Sequence, residues 1–291
     1  MNPNAIDLLI NDDTYSVARL IPNIRNILTF SYKKKKENRL KQEMSIIKRI
    51  FRKYDLSINL TASDRSVFYA LLGSKNSISA IERDKNKSWW KKLFLWHYYY
   101  FDSNKHILIN NLEPLKILAI PFTNILIPPN ATETSVNSVA ERLQKFNIKK
   151  FIIFHPSAQY NYKIYPEKFR IKLLSLLNEL NIPIIVTGGI NDIDSNIKKT
   201  IPVMKNIYNW VGETSIEEYL ALSKFSIGYV GMDTLNMHIA SSQNKRIFAI
   251  FGPTLVKMWS PWSNDIKDSG SKNLPIQTYG NITLFQADMT C

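Results

Sequence analysis

The sequence predicts an α/β protein built from two doubly wound domains, and three observations predict it. Short apolar runs alternate with stretches of helical periodicity. A polar, proline-containing break at Pro128-Pro129-Asn130-Ala131-Thr132 interrupts that alternation. In the second half, small and polar residues follow directly after the apolar runs. The 291 residues, 45% of them hydrophobic, suffice for two cores of ordinary size. The expected division is an N-terminal domain at 1–134 and a C-terminal domain at 135–291.

Ala5 to Ile10 reads as a buried strand ended by Asn11-Asp12-Asp13, with a short helix over 14–21. Ile27 to Phe30 is a second strand. Lys33-Lys34-Lys35-Lys36 then reads as a solvated turn before a helix running to about Lys53 with apolar Met44, Ile46, Ile47, Ile50 and Phe51. Leu56 to Leu60 is a strand and Arg65 to Leu72 the helix after it. The aromatic run Trp89 to Phe101, interleaved with Lys91 and Lys92, reads as one helix packed on the sheet, although aromatics beside lysines also suit stacking on nucleic-acid bases. After a helix at 135–146 the pattern sharpens. Strands are expected at 151–154, 183–187, near Ile207, at 225–230 and at 246–251, with helices at 167–180, 192–200, 215–223 and 234–242. Such apolar strands indicate a parallel sheet covered on both faces.

The net charge of +14 is uneven: residues 1–150 carry 25 Lys and Arg against 13 Asp and Glu, and the remainder 13 against 11. A basic half suits a polyanionic partner, be it nucleic acid, an anionic membrane surface or a phosphorylated glycolipid. No stretch of about twenty uncharged apolar residues occurs, so no spanning helix is expected. The N-terminus lacks the basic start and apolar run of a secretory signal, which points to the cytoplasm. The single cysteine, Cys291, has no partner thiol and reads as a spectator.

Ligands of doubly wound sheets bind at the carboxyl ends of the strands. There the sequence places His155-Pro156-Ser157, Thr187-Gly188-Gly189, Gly212-Glu213-Thr214-Ser215, Asp233-Thr234 and Phe251-Gly252-Pro253-Thr254. The helix starting near Thr234 offers free amides to a diphosphate, and Lys163 adds a direct charge. Taken singly, Gly-Gly is an ordinary turn, Asp233-Thr234 a helix cap and His238 a structural histidine. There is no Walker P-loop, Gly-x-Gly-x-x-Gly after a first strand, Gly-x-Ser-x-Gly elbow or His-Glu-x-x-His.

These residues resemble glycosyltransferase family 9, the ADP-heptose:lipopolysaccharide heptosyltransferases. His155-Pro156-Ser157 through Lys163-Ile164-Tyr165-Pro166 is similar to the family's His-Pro plus Lys-x-Trp-Pro element, and Gly212 to Ser215 with Glu217 and Glu218 to its Gly-x-Thr-Ser-x-x-Glu segment. Val230 to His238 resembles the donor-site signature. Phe251 to Thr254 with Trp259-Ser260-Pro261-Trp262 is like the branch that adds the third core heptose. The resemblance implies a GT-B fold, two Rossmann-like domains with a cleft between them. It also implies metal-independent heptose transfer from ADP-heptose to a phosphorylated lipid A core acceptor, with no cofactor, no nucleic acid and peripheral contact with the cytoplasmic face of the inner membrane.

By that resemblance Lys163 contacts the diphosphate, Asp233 the sugar, Thr234 the phosphates, and Glu217 or Glu218 the nucleoside. Ser157, Thr187 and Gly188 complete the donor site, and His238 matches the signature histidine. The family's aspartate base lies on a strand preceding the one matched by Ala5 to Ile10. The first domain is therefore expected to be incomplete, with exposed apolar edges and no assigned base beyond a weak candidate, Asp64. The C-terminus is likewise expected to fall short of the family's closing helix. A catalytically inactive remnant that binds the sugar nucleotide or glycolipid is the alternative, and a nucleic-acid-binding protein ranks last.

Overall fold

The computed structural model describes residues 5–270, 272 and 274–286; Cys291 lies outside them. The chain divides into two compact units between Thr123 and Asn124, upstream of the break from which a boundary near 134 was expected. The reason is local. Trp262 Nε1 donates to the Asn124 carbonyl (2.8 Å), and the Asn264 side chain bonds both backbone groups of Leu126 (2.8 and 3.0 Å), so the stretch before Pro128 is tied into the second unit.

The first unit holds β1 (Ile6–Asn11), α1 (Tyr15–Ala18), β2 (Ile24–Phe30), α2 (Tyr32–Ile50), β3 (Ser57–Asn59), α3 (Asp64–Gly73), β4 (Ser77–Ile81), α4 (Lys85–Phe94), β5 (His97–Tyr100) and α5 (Ile107–Ile117). Its strands form two sheets, β1-β2 and β3-β4-β5, each parallel throughout. Among the described residues no backbone ladder joins them. Side chains do: Tyr54 Oη donates to Asp7 (3.0 Å), and Tyr69 of α3 packs with Phe30, Ile46 and Ile50 while donating to Glu43.

Two expectations are corrected here. Lys33 to Lys36 fall on the helical backbone of α2, not on a turn, and the helix is instead broken at Asn38 (φ −150°, ψ 56°). The aromatic run is not one helix: α4 ends at Phe94, capped at its start by Asp84, and His97–Tyr100 turns into a strand paired with β4. Only Tyr99 of that strand is buried, while Trp89, Phe94, Trp96, Tyr98 and Tyr100 stand exposed.

The second unit begins with α6 (Glu133–Lys145) and continues through β6 (Ile152–His155), α7 (Glu167–Asn178), β7 (Ile184–Val186), α8 (Asp192–Thr200), β8 (Ile207–Asn209), α9 (Ile216–Phe225), β9 (Gly228–Met232), α10 (Leu235–Ser242), β10 (Arg246–Phe251) and α11 (Val256–Trp259). A small ribbon of β11 (Trp262–Ser263) and β12 (Asp268–Ser269) follows, then β13 (Ile276–Tyr279) and β14 (Ile282–Gln286). The main sheet has seven strands in the order β13-β14-β10-β9-β6-β7-β8, parallel except for the edge strand β13. Ile153, Phe154, Ile184, Ile185, Val186, Tyr229 and Ile247 are fully buried in it, because helices cover both faces. Asparagines end three of the helices in left-handed conformation, Asn147, Asn181 and Asn244, a role their short polar side chains tolerate.

From β6 outward the second sheet runs β7-β8 on one side and β9-β10-β14 on the other. The first unit repeats that progression as β1-β2 and β3-β4-β5, with no counterpart of β6 among the described residues. The mixed α/β fold with a large parallel sheet agrees with the expected class.

Candidate functional site

The carboxyl ends of β6, β7, β9 and β10 bring most of the expected residues of the second unit together. His155 ends β6 and is buried, and its Nδ1 lies 3.0 Å from Thr187 Oγ1 and 2.9 Å from Asn236 Nδ2. The Asn236 amide is a donor and the Thr187 hydroxyl can donate or accept, so both polar groups hold the ring at Nδ1. Burial pushes the imidazole pKa down to about 4, against smaller raising effects from Asp194 and Thr187, so the ring is neutral near pH 7. Ser157 is buried on the following loop.

Gly188 follows Thr187 where a side chain has no room: a Cβ would fall 2.6 Å from Asp194 Oδ1 and 2.9 Å from Val211 Cγ1. Gly231, paired with His155 across β6 and β9, is equally confined by the His155 carbonyl and by Tyr229 Oη, which donates to the Met232 carbonyl (2.9 Å). Small residues thus draw the strand ends close enough for backbone to reach a ligand.

Lys163 stands at the end of a short 3₁₀ turn, Asn161–Lys163, with its Nζ 3.9 Å from Asp233 Oδ2. Both side chains are largely buried. Burial raises the Asp233 pKa, and the Thr254 hydroxyl and Lys163 offset part of that rise. Thr234 occupies the N-cap of α10 in extended conformation, but its side chain makes no capping bond. Thr234 Oγ1 and Thr254 Oγ1 are buried and lack a well-formed hydrogen bond among the described residues. His238 lies half-buried one turn into α10, its amide bonded to the Thr234 carbonyl (3.4 Å).

Glu217 and Glu218 stand on the first turn of α9, where Ser215 and Glu218 form a reciprocal capping box. Glu218 also accepts from Ser138 Oγ (3.0 Å), and Glu217 from Thr132 Oγ1 (3.3 Å), so both carboxylates face α6. Asp64 belongs to the first unit, where its carboxylate pairs with the fully buried Lys91 (2.7 Å). Among the described residues no three His, Cys, Asp or Glu side chains gather as a metal-binding group.

Two contributors went unselected in the sequence. Asn236 orients His155 from the first turn of α10, and Thr254 touches Asp233 from the end of β10. Their only sequence signal was position within the runs Val230 to His238 and Phe251 to Thr254.

Chemically, Lys163 and the free amides that begin α10 form a positive corner suited to a diphosphate. The Asp233 carboxylate beside it suits a hydroxyl donor such as a sugar.

Residues 44–281 match the profile of glycosyltransferase family 9 (heptosyltransferase). The chain is 25% identical over 268 residues to lipopolysaccharide heptosyltransferase 3 of Escherichia coli (strain K12), covering 90% of this chain and 77% of that protein. Among solved structures, a family 9 glycosyltransferase from Veillonella parvula superposes with a TM-score of 0.75 at 16% identity, covering 97% of this chain and 77% of that one. An E. coli heptosyltransferase solved with ADP gives 0.70 at 13% identity, covering 97% and 84%.

Proposed function

Because the chain belongs to glycosyltransferase family 9, a match that spans most of its length, we propose that it moves a heptose from ADP-heptose to the inner core of lipopolysaccharide, without a metal ion. The observation that carries this reading is Lys163 beside Asp233 at the start of α10. Lys163 and the amides after Thr234 hold the diphosphate and take up its charge as the bond to the sugar's anomeric carbon breaks. Asp233 accepts from a heptose hydroxyl, and the hydroxyls of Thr234 and Thr254 are its polar neighbours. Thr187, Gly188 and Ser157 line the approach, with neutral His155 holding the loop ends and His238 one turn into α10. Glu217 or Glu218, on the first turn of α9, is the nucleoside contact.

The acceptor hydroxyl attacks the anomeric carbon and surrenders its proton to a base. Asp64 is a poor choice for that base, because its carboxylate is engaged by Lys91. The acceptor is a phosphorylated lipid A core, reached from the cytoplasmic face of the inner membrane. Support for that lies in the first unit's 21 Lys and Arg against 11 Asp and Glu in residues 1–123, Lys33 to Lys36 among them.

A second reading is a remnant that binds donor without turnover; no base for the acceptor proton is assigned among the described residues, and the carboxylate of Asp64 is held by Lys91. Calorimetric titration with ADP-heptose, followed by a transfer assay on heptose-deficient lipopolysaccharide, separates the two. Binding that Asp233→Ala with Lys163→Ala abolishes, accompanied by transfer, supports the enzyme. The same binding without transfer supports the remnant. No binding by folded wild-type protein rejects both.

A further inference from the structure

The aromatic run of α4 and β5 is not consumed by the core. Helix α4 turns Ser88 and Lys91 inward, both fully buried, and Trp90 completes a cluster with Val67, Ile81 and Leu95. Its opposite side is apolar and exposed. Trp89 (64% exposed) and Leu93 (70%) lie one turn apart on one face, Phe94 (63%) follows, and Trp96 (49%) comes just past the helix end. Phe68 of α3, also exposed, extends the patch toward Trp90 at a ring distance of 6.3 Å. Large aromatics contiguous on a surface mark a contact with something other than water.

The rim identifies the contact. Within residues 83–96, four basic side chains and one acidic side chain border that face, Lys91 being buried against Asp64 and Glu82. Lys85 and Lys87 are exposed on the same helix, Lys92 lies with its Nζ 5.3 Å from the Tyr100 ring, and Arg83 sits 5.7 Å from that ring. Asp84, the single acid, is the α4 cap and is spanned by Lys87 at 4.0 Å. Basic side chains around tryptophan, leucine and phenylalanine on the outer side of a helix match the headgroup region of an anionic bilayer. Indole rings settle at the level of the headgroups there, and lysine stems reach past apolar contacts to the phosphates.

A second copy of this chain would oppose like charges. A single-stranded nucleic acid uses flat rings along a basic groove, and leaves Leu93, which is exposed, without a role.

We propose that the outer face of α4, with Trp96 and Phe68, is the surface by which this protein docks on anionic lipid. The inference rests on the peripheral-membrane reading above and names its surface. It does not depend on the donor site, which lies in the other unit.

The test is sedimentation of the full chain with phosphatidylcholine vesicles made with and without a third of phosphatidylglycerol. Trp89→Ser with Leu93→Ser is compared with wild type, and tryptophan quenching by brominated lipid gives a second readout. Thermal unfolding of the double variant should be unchanged, since both side chains are exposed. Wild type is expected to bind the anionic vesicles and to show quenching. The double variant should lose roughly tenfold or more in partitioning, together with the quenched fraction. Equal binding by both proteins would overturn the surface while leaving peripheral attachment standing. No binding by wild type would overturn both, and binding to a single-stranded oligonucleotide in place of vesicles would reassign the patch to nucleic acid.

Discussion

Two glycines at the candidate site make opposite demands, and substituting each with alanine tests the packing argument. At Gly231 a methyl group would press on the His155 carbonyl and stand 2.8 Å from Tyr229 Oη and 2.9 Å from its ring Cζ. Ordinary contacts of this kind begin near 3.4 Å, so the neighbours must retreat by about 0.6 Å or more. Retreat is difficult, because Gly231 is laddered to His155 on one side and Ala249 on the other.

Overpacking of this sort costs about 1–3 kcal/mol, of which the stiffer unfolded chain returns roughly 0.5 kcal/mol. For a unit of this size that lowers the melting temperature by about 1–10 °C. At Gly252 the methyl would meet nothing nearer than Lys163 Cα at 3.9 Å, so Gly252→Ala should melt within about 1 °C of wild type. Differential scanning calorimetry reads both. If Gly231→Ala melts with wild type, or Gly252→Ala falls as far as Gly231→Ala, the close approach of β6 and β9 is not what confines position 231.

Three further outcomes follow from the buried charges. His155 titrates near 4 in the folded chain against 6.5 in the unfolded one. Its contribution is complete above pH 6.5 and is lost as pH falls through about 4, amounting to ~3 kcal/mol. His155→Gln should flatten that part of the stability curve, measured by urea unfolding at stepped pH. Lys91, fully buried, donates to the Ala62 carbonyl, Glu82 and Asp64, each at 2.7 Å. Lys91→Met should destabilise the first unit by about 1–3 kcal/mol in denaturant titration, chiefly through the Ala62 carbonyl left without its donor, and leave the transition of the second unit in place. Asp7 is held down to about 2, chiefly by Arg25 and also by Tyr54 and Asn26. Its contribution, about 1–2 kcal/mol after allowing for the exposure of Arg25, is present above pH 3.8 and is lost as pH falls through about 2. Asp7→Asn should remove that acid limb from the first unit's fluorescence titration.

The strands of the second unit were legible because both their faces are buried, which leaves uninterrupted apolar runs such as Phe151 to Phe154. Where burial is polar the signal fails. Ser77–Ile81 is entirely buried, but Ser79 hides its hydroxyl by accepting from Asn59 (2.8 Å) and donating to the Ala80 carbonyl (2.8 Å), and serines do not read as core. The β13–β14 hairpin was missed although Tyr279 and Ile282 flank a two-residue Gly280-Asn281 turn, with Gly280 at φ +49°. Gln277, Thr278 and Thr283 masked its alternation. At the site, Lys163, Asp233 and Thr234 could be placed by their distance from strand ends. The pairing of Asn236 with His155 could not, since it depends on how closely α10 approaches β6 in space.

The division of the first unit's strands into two sheets has a bearing on how that unit comes apart. A two-stranded sheet is marginal in isolation, so β1 and β2 are protected by what their side chains grip: Tyr54 on Asp7, and α2 over Leu9 and Leu28. Amide hydrogens of Ile6–Phe30 should therefore exchange through openings that leave the β3-β4-β5 sheet intact. The chain then contains a region that detaches at a fraction of the global unfolding cost, and proteases or chaperones that sample partly opened states will meet it first.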